Sequence, residues 1–199
     1  MTYKHLTTSL NMKKDDIRRR IKAQKSILDN NERADAARAV FALLESTAAF
    51  MMAENILMYH ALYDELSTHE FLDKWAGVKH FFLPRVNGVN LEILPYDRSS
   101  LALGAFHIEE PTGDDVCSMD DIEMVVVPAV AYDRRGNRVG RGKGFYDRLL
   151  ANTTALKVGV GYSFQLVDDE IDTDPHDIPV DIVITPQSLI HCPRRKPRP

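Results

Sequence analysis

Between residues 125 and 148 a run of valines gives way to Pro128 and Asp133. Glycines then alternate with cations, Arg138-Val139-Gly140-Arg141-Gly142-Lys143-Gly144, followed by Phe145-Tyr146-Asp147-Arg148. Gly140, Gly142 and Gly144 open backbone conformations closed to residues with a Cβ and let main-chain N–H groups approach a ligand. Arg138, Arg141 and Lys143 add fixed positive charge, and the amides of a helix beginning near Gly144 add the favourable end of its dipole. These are the groups that hold phosphate. Asp147, in the first turn of that helix, is placed either to cap free amides or to bind the Mg²⁺ that accompanies a phosphate. Phe145 and Tyr146 suit stacking on a heterocycle or packing in a core. A solvated hairpin is the plainer reading of the same pattern. The spacing is neither that of a P-loop nor that of a dinucleotide fingerprint, because no Ser or Thr follows Lys143 and Phe145 stands where the last glycine would be.

Other charged residues carry a similar pair of readings. Lys14 and Arg18 lie four apart on a helical pattern, where such cations usually form a solvated face. Glu65 stands before the Ser67 and Thr68 cap candidates, His176-Asp177 suits a turn, and Asp181 precedes a buried strand that it could cap.

The elements that must position these residues follow from hydrophobic period. Ile17, Ile21 and Leu28 recur at helical spacing from Lys13 to Leu28, and Ala36, Val40, Leu43 and Leu44 do so from about Glu32 to Leu44. Phe71, Leu72 and Trp75 predict a helix over 67–76, and Tyr146, Leu149 and Leu150 predict one from about Gly144. Short apolar runs at 56–59, 80–83, 91–94, 124–127, 158–160 and 182–184 have strand length. Strands separated by helices predict an α/β fold with a mainly parallel sheet covered on both faces, where sites gather at the carboxyl ends of strands. The acidic stretch 109–121 reads as a long surface loop.

With 199 residues, 44% of them hydrophobic, the chain can build one well-buried domain, expected over residues 12–190. Residues 1–11 are expected to be a disordered extension and residues 191–199 a flexible basic tail. Lys plus Arg total 25 against 29 Asp plus Glu, a net charge of -4, which argues against a general nucleic-acid binder. Cys117 and Cys192 have no partner at ligand spacing, so neither a disulfide framework nor a zinc site is indicated. No run approaches the roughly 20 apolar residues of a membrane span, and no secretory signal is evident. A cytoplasmic protein, monomer or weak dimer, is the expectation.

Pro128 through Arg148, read whole, resembles the signature of the 5-formyltetrahydrofolate cyclo-ligase family: a hydrophobic strand, an Asp, Gly-Asn-Arg, then a Gly-x-Gly-x-Gly run ending in Tyr-Asp. Asp64-Glu65-Leu66-Ser67-Thr68, Leu83-Pro84-Arg85, Glu110-Pro111 and the stretch from His176 to Thr185 resemble further landmarks of that family in collinear order. The resemblance implies a three-layer α/β/α sandwich and an ATP- and Mg²⁺-dependent cyclisation of 5-formyltetrahydrofolate to 5,10-methenyltetrahydrofolate, with ADP and phosphate released.

Carried over residue by residue, it implies that Lys143 and Arg141 stabilise the transferring phosphoryl group. Lys14, Arg18, Arg138, Gly140, Gly142, Gly144, Phe145 and Tyr146 complete the ATP site. His60, Glu65, Arg141 and Tyr146 meet the folate, and Asp147 and Asp181 hold the metal. Two positions depart from the pattern: His60 stands where the family often has an apolar residue, and Phe145 where it usually has Tyr. A sugar-phosphate or coenzyme A enzyme of similar fold, or a non-catalytic nucleotide or folate regulator, would use the same loop without spending ATP.

Overall fold

The computed structural model describes residues 13–104 and 108–193; the expected extension at 1–11 and the tail from residue 194 lie outside the described residues. The chain opens with α1 (Lys14–Ser26), whose Ile17, Ile21 and Lys25 are buried at successive i, i+4 positions. Helix α2 (Asn30–Glu45) starts two residues before the expected position because Asp29 caps it. The Asp29 carboxylate accepts from Glu32 N–H while Glu32 accepts from Asp29 N–H, a reciprocal capping box. A short α3 (Ala48–Met52), not anticipated from the periodicity, turns the chain into β1 (Asn55–Leu57).

Helix α4 (His69–Trp75) leads to β2 (His80–Asn87) and its antiparallel neighbour β3 (Asn90–Pro95). Strands β4 (Leu101–Leu103) and β5 (Glu109–Pro111) pair with each other, so the start of the stretch expected to be a surface loop is ordered by a ladder. Strand β6 (Met124–Val127) is followed by the hairpin β7 (Ala131–Asp133) and β8 (Arg138–Val139), then α5 (Phe145–Leu150) and β9 (Leu156–Val160). Strands β10 (Leu166–Val167), β11 (Ile182–Thr185) and β12 (Ser188–His191) end the described chain. His191, expected to begin the flexible tail, is the last residue of β12, whose antiparallel pairing with β11 holds it.

The main sheet runs β12-β11-β9-β6-β1-β2-β3, with the five inner strands parallel and both edges antiparallel. Successive residues of its strands feed opposite faces. Ile56, Met124, Val126, Val158, Ile182 and Ile184 pack toward α2, α3 and α4, while Leu57, Val125, Val127 and Val183 pack toward Leu150 of α5. The second face is less helical than the sandwich expectation implies. A three-stranded sheet, β10-β7-β8, helps to cover it, and α1 packs on that small sheet through Ile17 and Ile21 against Ala131, Val139 and Val167.

The topology locates a crevice. From β1 the chain crosses through α4 to β2 on one side of the sheet order, and from β6 it crosses through α5 to β9 on the other side. The carboxyl ends of the neighbouring strands β1 and β6 therefore diverge, which opens the kind of crevice where ligands bind in α/β sheets.

Candidate active site

A cavity of about 640 Å³ lies at those two strand ends, lined by Tyr59 and His60 after β1 and by Pro128, Ala129 and Val130 after β6. The signature segment divides into residues that build one wall and residues that work in it. Asp133 is 2% exposed and takes four hydrogen bonds: from the N–H groups of Arg135, Asn137 and Ile171 and from the Asn137 amide. That closes the β7–β8 turn and sends the next residue, Arg138, inward.

Arg138 is a buried cation of the site. Its Nη2 donates to Asp147 Oδ1 at 2.6 Å, and the same oxygen accepts from Ile178 N–H. Its Nη1 is buried, without a hydrogen-bond partner among the described residues, in a side chain 5% exposed that lines the cavity. A buried guanidinium nitrogen left unpaired costs on the order of 1–3 kcal/mol, and an anion's oxygen in the cavity would supply the acceptor.

Beyond Arg138 the ribbon rises to the surface. Gly142 (φ 91°) and Gly144 (φ 66°) both occupy the left-handed region, and Gly144 is the N-cap of α5. Arg141 and Lys143 line the cavity from this ribbon, as do Phe145, Tyr146 and Asp147 from α5. Helix α5 has only six residues, so few peptide dipoles align and side chains supply most of the positive potential. Phe145 lies under the Arg148 guanidinium, 5.4 Å from ring centroid to Cζ. Burial pushes the Tyr146 phenol well up, so it keeps its proton.

Two further elements reach the ribbon. Arg18 of α1 donates through Nε to Gly140 O at 3.0 Å and through Nη1 to Asp15, so it ties α1 to the loop. Lys14, one turn earlier, pairs with Asp174 at 2.8 Å and Asp177 at 2.6 Å. Burial pulls the Lys14 ammonium down, but the bonds to those carboxylates outweigh it and hold it above the ordinary lysine value.

Across the cavity Arg141 donates to Asp64 Oδ1 at 2.5 Å and to Glu65 Oε1 at 3.2 Å. Burial pushes the Asp64 carboxyl up, yet the Arg141 bond and charge prevail and keep it below the usual carboxylate range. Glu65 Oε2 accepts from Leu62 N–H, so both Glu65 oxygens are engaged.

The other end of the cavity is apolar, with Leu62, Pro84, Val86, Leu91 and Ile108 on its walls and Glu109 and Glu110 among them. His60 is placed there by Thr68, whose hydroxyl donates to Tyr59 O and accepts from Ala61 N–H instead of capping α4.

Every sequence-predicted site residue but one lines this cavity. The exception is Asp181. It sits at the amino end of β11, and its carboxylate takes Lys157 N–H at 2.8 Å and Lys157 Nζ at 3.0 Å, while the cavity lies at the carboxyl ends of the strands. Asp181 therefore stands apart from the other residue expected to hold a metal, Asp147. The carboxylates that reach the cavity from this segment are Asp174 and Asp177, clustered with His176 within 4.8 Å. The density of Asp174-Pro175-His176-Asp177 was a visible signal, but its spacing does not tell which acid turns inward. Lys25, 3.8 Å from Asp64, also lines the cavity without having been singled out, because its buried position on α1 reads as an ordinary helix charge.

Comparisons with known proteins bear on the family and the fold. The model of the 5-formyltetrahydrofolate cyclo-ligase family matches residues 11–186. The 5-formyltetrahydrofolate cyclo-ligase of Escherichia coli (strain K12) is 32% identical over 149 residues, covering 70% of this chain and 81% of that protein. An NMR structure of 5,10-methenyltetrahydrofolate synthetase from Aquifex aeolicus matches with a TM-score of 0.83 at 30% identity, over 94% of this chain and 97% of that one. A 5,10-methenyltetrahydrofolate synthetase from Mycoplasma pneumoniae, at 21% identity and a TM-score of 0.70 over 88% and 99% of the two chains, shares the fold. With the family pattern running from before α1 to past β11, this chain belongs to the 5-formyltetrahydrofolate cyclo-ligase family.

Proposed function

We propose that the cyclo-ligase reaction takes place in this cavity, with Mg-ATP at the cationic end and 5-formyltetrahydrofolate along the apolar end. The observation that carries the reading is Arg138: a buried guanidinium, half satisfied by Asp147, whose Nη1 in the wall of the cavity has no partner among the described residues. A phosphate oxygen is the acceptor such a group selects.

The formyl nitrogen carries no proton, so its carbonyl oxygen attacks the terminal phosphorus without a general base. The new P–O bond forms as the bond to ADP breaks, and the formyl oxygen becomes a phosphate leaving group. Such a step depends on alignment and charge more than on a nucleophilic side chain. Lys143 and Arg141 meet the transferring oxygens, while Arg138, Lys14, Arg18 and the amides at Gly140, Gly142 and Gly144 orient the triphosphate. Bound Mg²⁺ would neutralise phosphate charge during transfer. Asp147 and Asp177 are the residues to hold it, with Asp174 beside them, since hard oxygen donors suit that ion.

Lys14 pairs with Asp174 and Asp177, so its ammonium would have to turn toward phosphate for those carboxylates to hold a metal. Glu65 accepts from the pterin once Arg141 is drawn to the phosphates, and Tyr146 and Phe145 pack on the bound rings. Among the described residues no helix is long and apolar enough to cross a membrane, and both cysteines are free, which suits a cytoplasmic enzyme.

The test is spectroscopic. Purified protein given 5-formyltetrahydrofolate should develop the near-ultraviolet absorbance of the methenyl product only when ATP and Mg²⁺ are present. Binding of both ligands without turnover would make the protein a regulator instead, and no calorimetric signal with Mg-ATP would remove the nucleotide site.

A further inference from the structure

Ring closure, on the reading above, leaves one proton to be placed. The second nitrogen of the folate is a secondary amine. As it attacks the phosphorylated formyl carbon its N–C bond forms, its N–H proton must leave, and the C–O bond to phosphate breaks. We propose that His60 accepts that proton and that Glu109 passes it to solvent.

His60 lines the apolar end of the cavity, with a side chain 11% exposed. Its Nδ1 lies 3.4 Å from Glu109 Oε2, and no hydrogen bond among the described residues uses Nε2. A carboxylate beside one ring nitrogen stabilises the imidazolium that forms when the other nitrogen takes a proton, so the pair suits a base. Glu109 is 56% exposed, so a proton handed to it reaches bulk water.

The rest of the surroundings keep the ring neutral. Burial pulls the imidazole below its ordinary value, and the His69 ring of α4, stacked at 4.4 Å, pulls the same way. Glu109 of β5 and Asp73 of α4 oppose them and are outweighed.

The other cavity groups are worse acceptors. Glu65 holds Leu62 N–H on one oxygen and, on the reading above, accepts from the pterin with the other once Arg141 has turned to the phosphates. Glu110 is buried and takes Val86 N–H. Tyr59 and Tyr146 are held protonated by burial. His176 sits with Asp174 and Asp177, among the groups assigned to the metal. The departing phosphate is a fallback acceptor, so loss of His60 slows closure without abolishing it.

Rapid mixing of the full chain with Mg-ATP and 5-formyltetrahydrofolate separates the steps. ADP reports phosphoryl transfer, and the methenyl absorbance reports closure. In His60→Gln the ADP burst should persist while closure slows on the order of 100-fold, the usual loss for a general base. In the wild type closure should fall as the pH drops through the range where His60 protonates, because the protonated ring cannot accept. That acid limb should vanish in the variant. His60→Phe, which keeps a ring against His69, should behave like His60→Gln, and its ADP burst shows that the fold and nucleotide site are intact. Closure at the wild-type rate in either variant, or an acid limb that survives in both, overturns the proposal. Absence of folate-dependent ADP in the wild type would instead overturn the reading of the cavity on which the proposal rests.

Discussion

The two ends of the cavity solve different physical problems. The cationic end is a ribbon, Arg138 to Gly144, in which one buried guanidinium is anchored and the cations beyond it stand at the surface. The apolar end is a wall of side chains, Leu62, Val86 of β2, Leu91 of β3 and Ile108, with carboxylates and a histidine among them. A transferring phosphoryl group needs charge that strengthens in the transition state, and such contacts are worth more in a dry, preorganised wall than in water. A flat heterocycle needs area removed from water, which binds ground and transition states alike. The ribbon should thus set turnover and the strand wall should set affinity.

The largest effect that would break or support this division is at Lys143. Replacing it by Ala should lower turnover about 100- to 1000-fold, as loss of a preorganised donor does, while folate affinity measured by fluorescence titration changes little. Equal losses in both would make the ribbon a mere binding surface. Next comes Arg138→Met, which removes a charged hydrogen bond worth about 1.5–3 kcal/mol. Mg-ATP affinity by calorimetry should weaken roughly 10- to 100-fold, and folate affinity in the absence of nucleotide should hold.

A paired test sharpens the metal side. Asp177→Asn should raise the Mg²⁺ concentration for half-maximal nucleotide binding about tenfold or more, whereas Asp181→Asn should leave that titration where it was. The smallest effect is expected on the apolar wall. Leu91→Ala should raise the KM for folate about tenfold at constant kcat, since a few buried methylene groups contribute about 0.8 kcal/mol each. A fall in kcat there would mean that the wall also positions the reacting atoms.

Much of the framework was legible in the sequence. Runs such as Met124–Val127 and residues 182–184 are hydrophobic at every position, and a strand buried on both faces has to be. The small sheet β10-β7-β8 was not legible, because two- and three-residue strands carry no measurable period and exist only where neighbours complete their ladders. Glu109 and Glu110 illustrate the same limit. They look like part of an acidic surface loop, and pairing with β4 turns them into cavity wall. Thr68 looks like a helix cap, yet its hydroxyl is used to hold the end of β1 beside His60.

The amino-acid sequence alone determined the ribbon of glycines and cations, the alternation of strand and helix, and the family likeness, because each rests on residue type and local spacing. Tertiary structure decided which acids reach the cavity. Asp177 and Asp181 are four residues apart in one segment, but one lies by Lys14 at the cavity and the other is taken up by Lys157 at the opposite end of the strands. Likewise only folding brings Glu109 to His60 and Glu65 to Arg141. A carboxylate's role depends on which charges stand within a few ångströms of it, and spacing along the chain does not encode that distance.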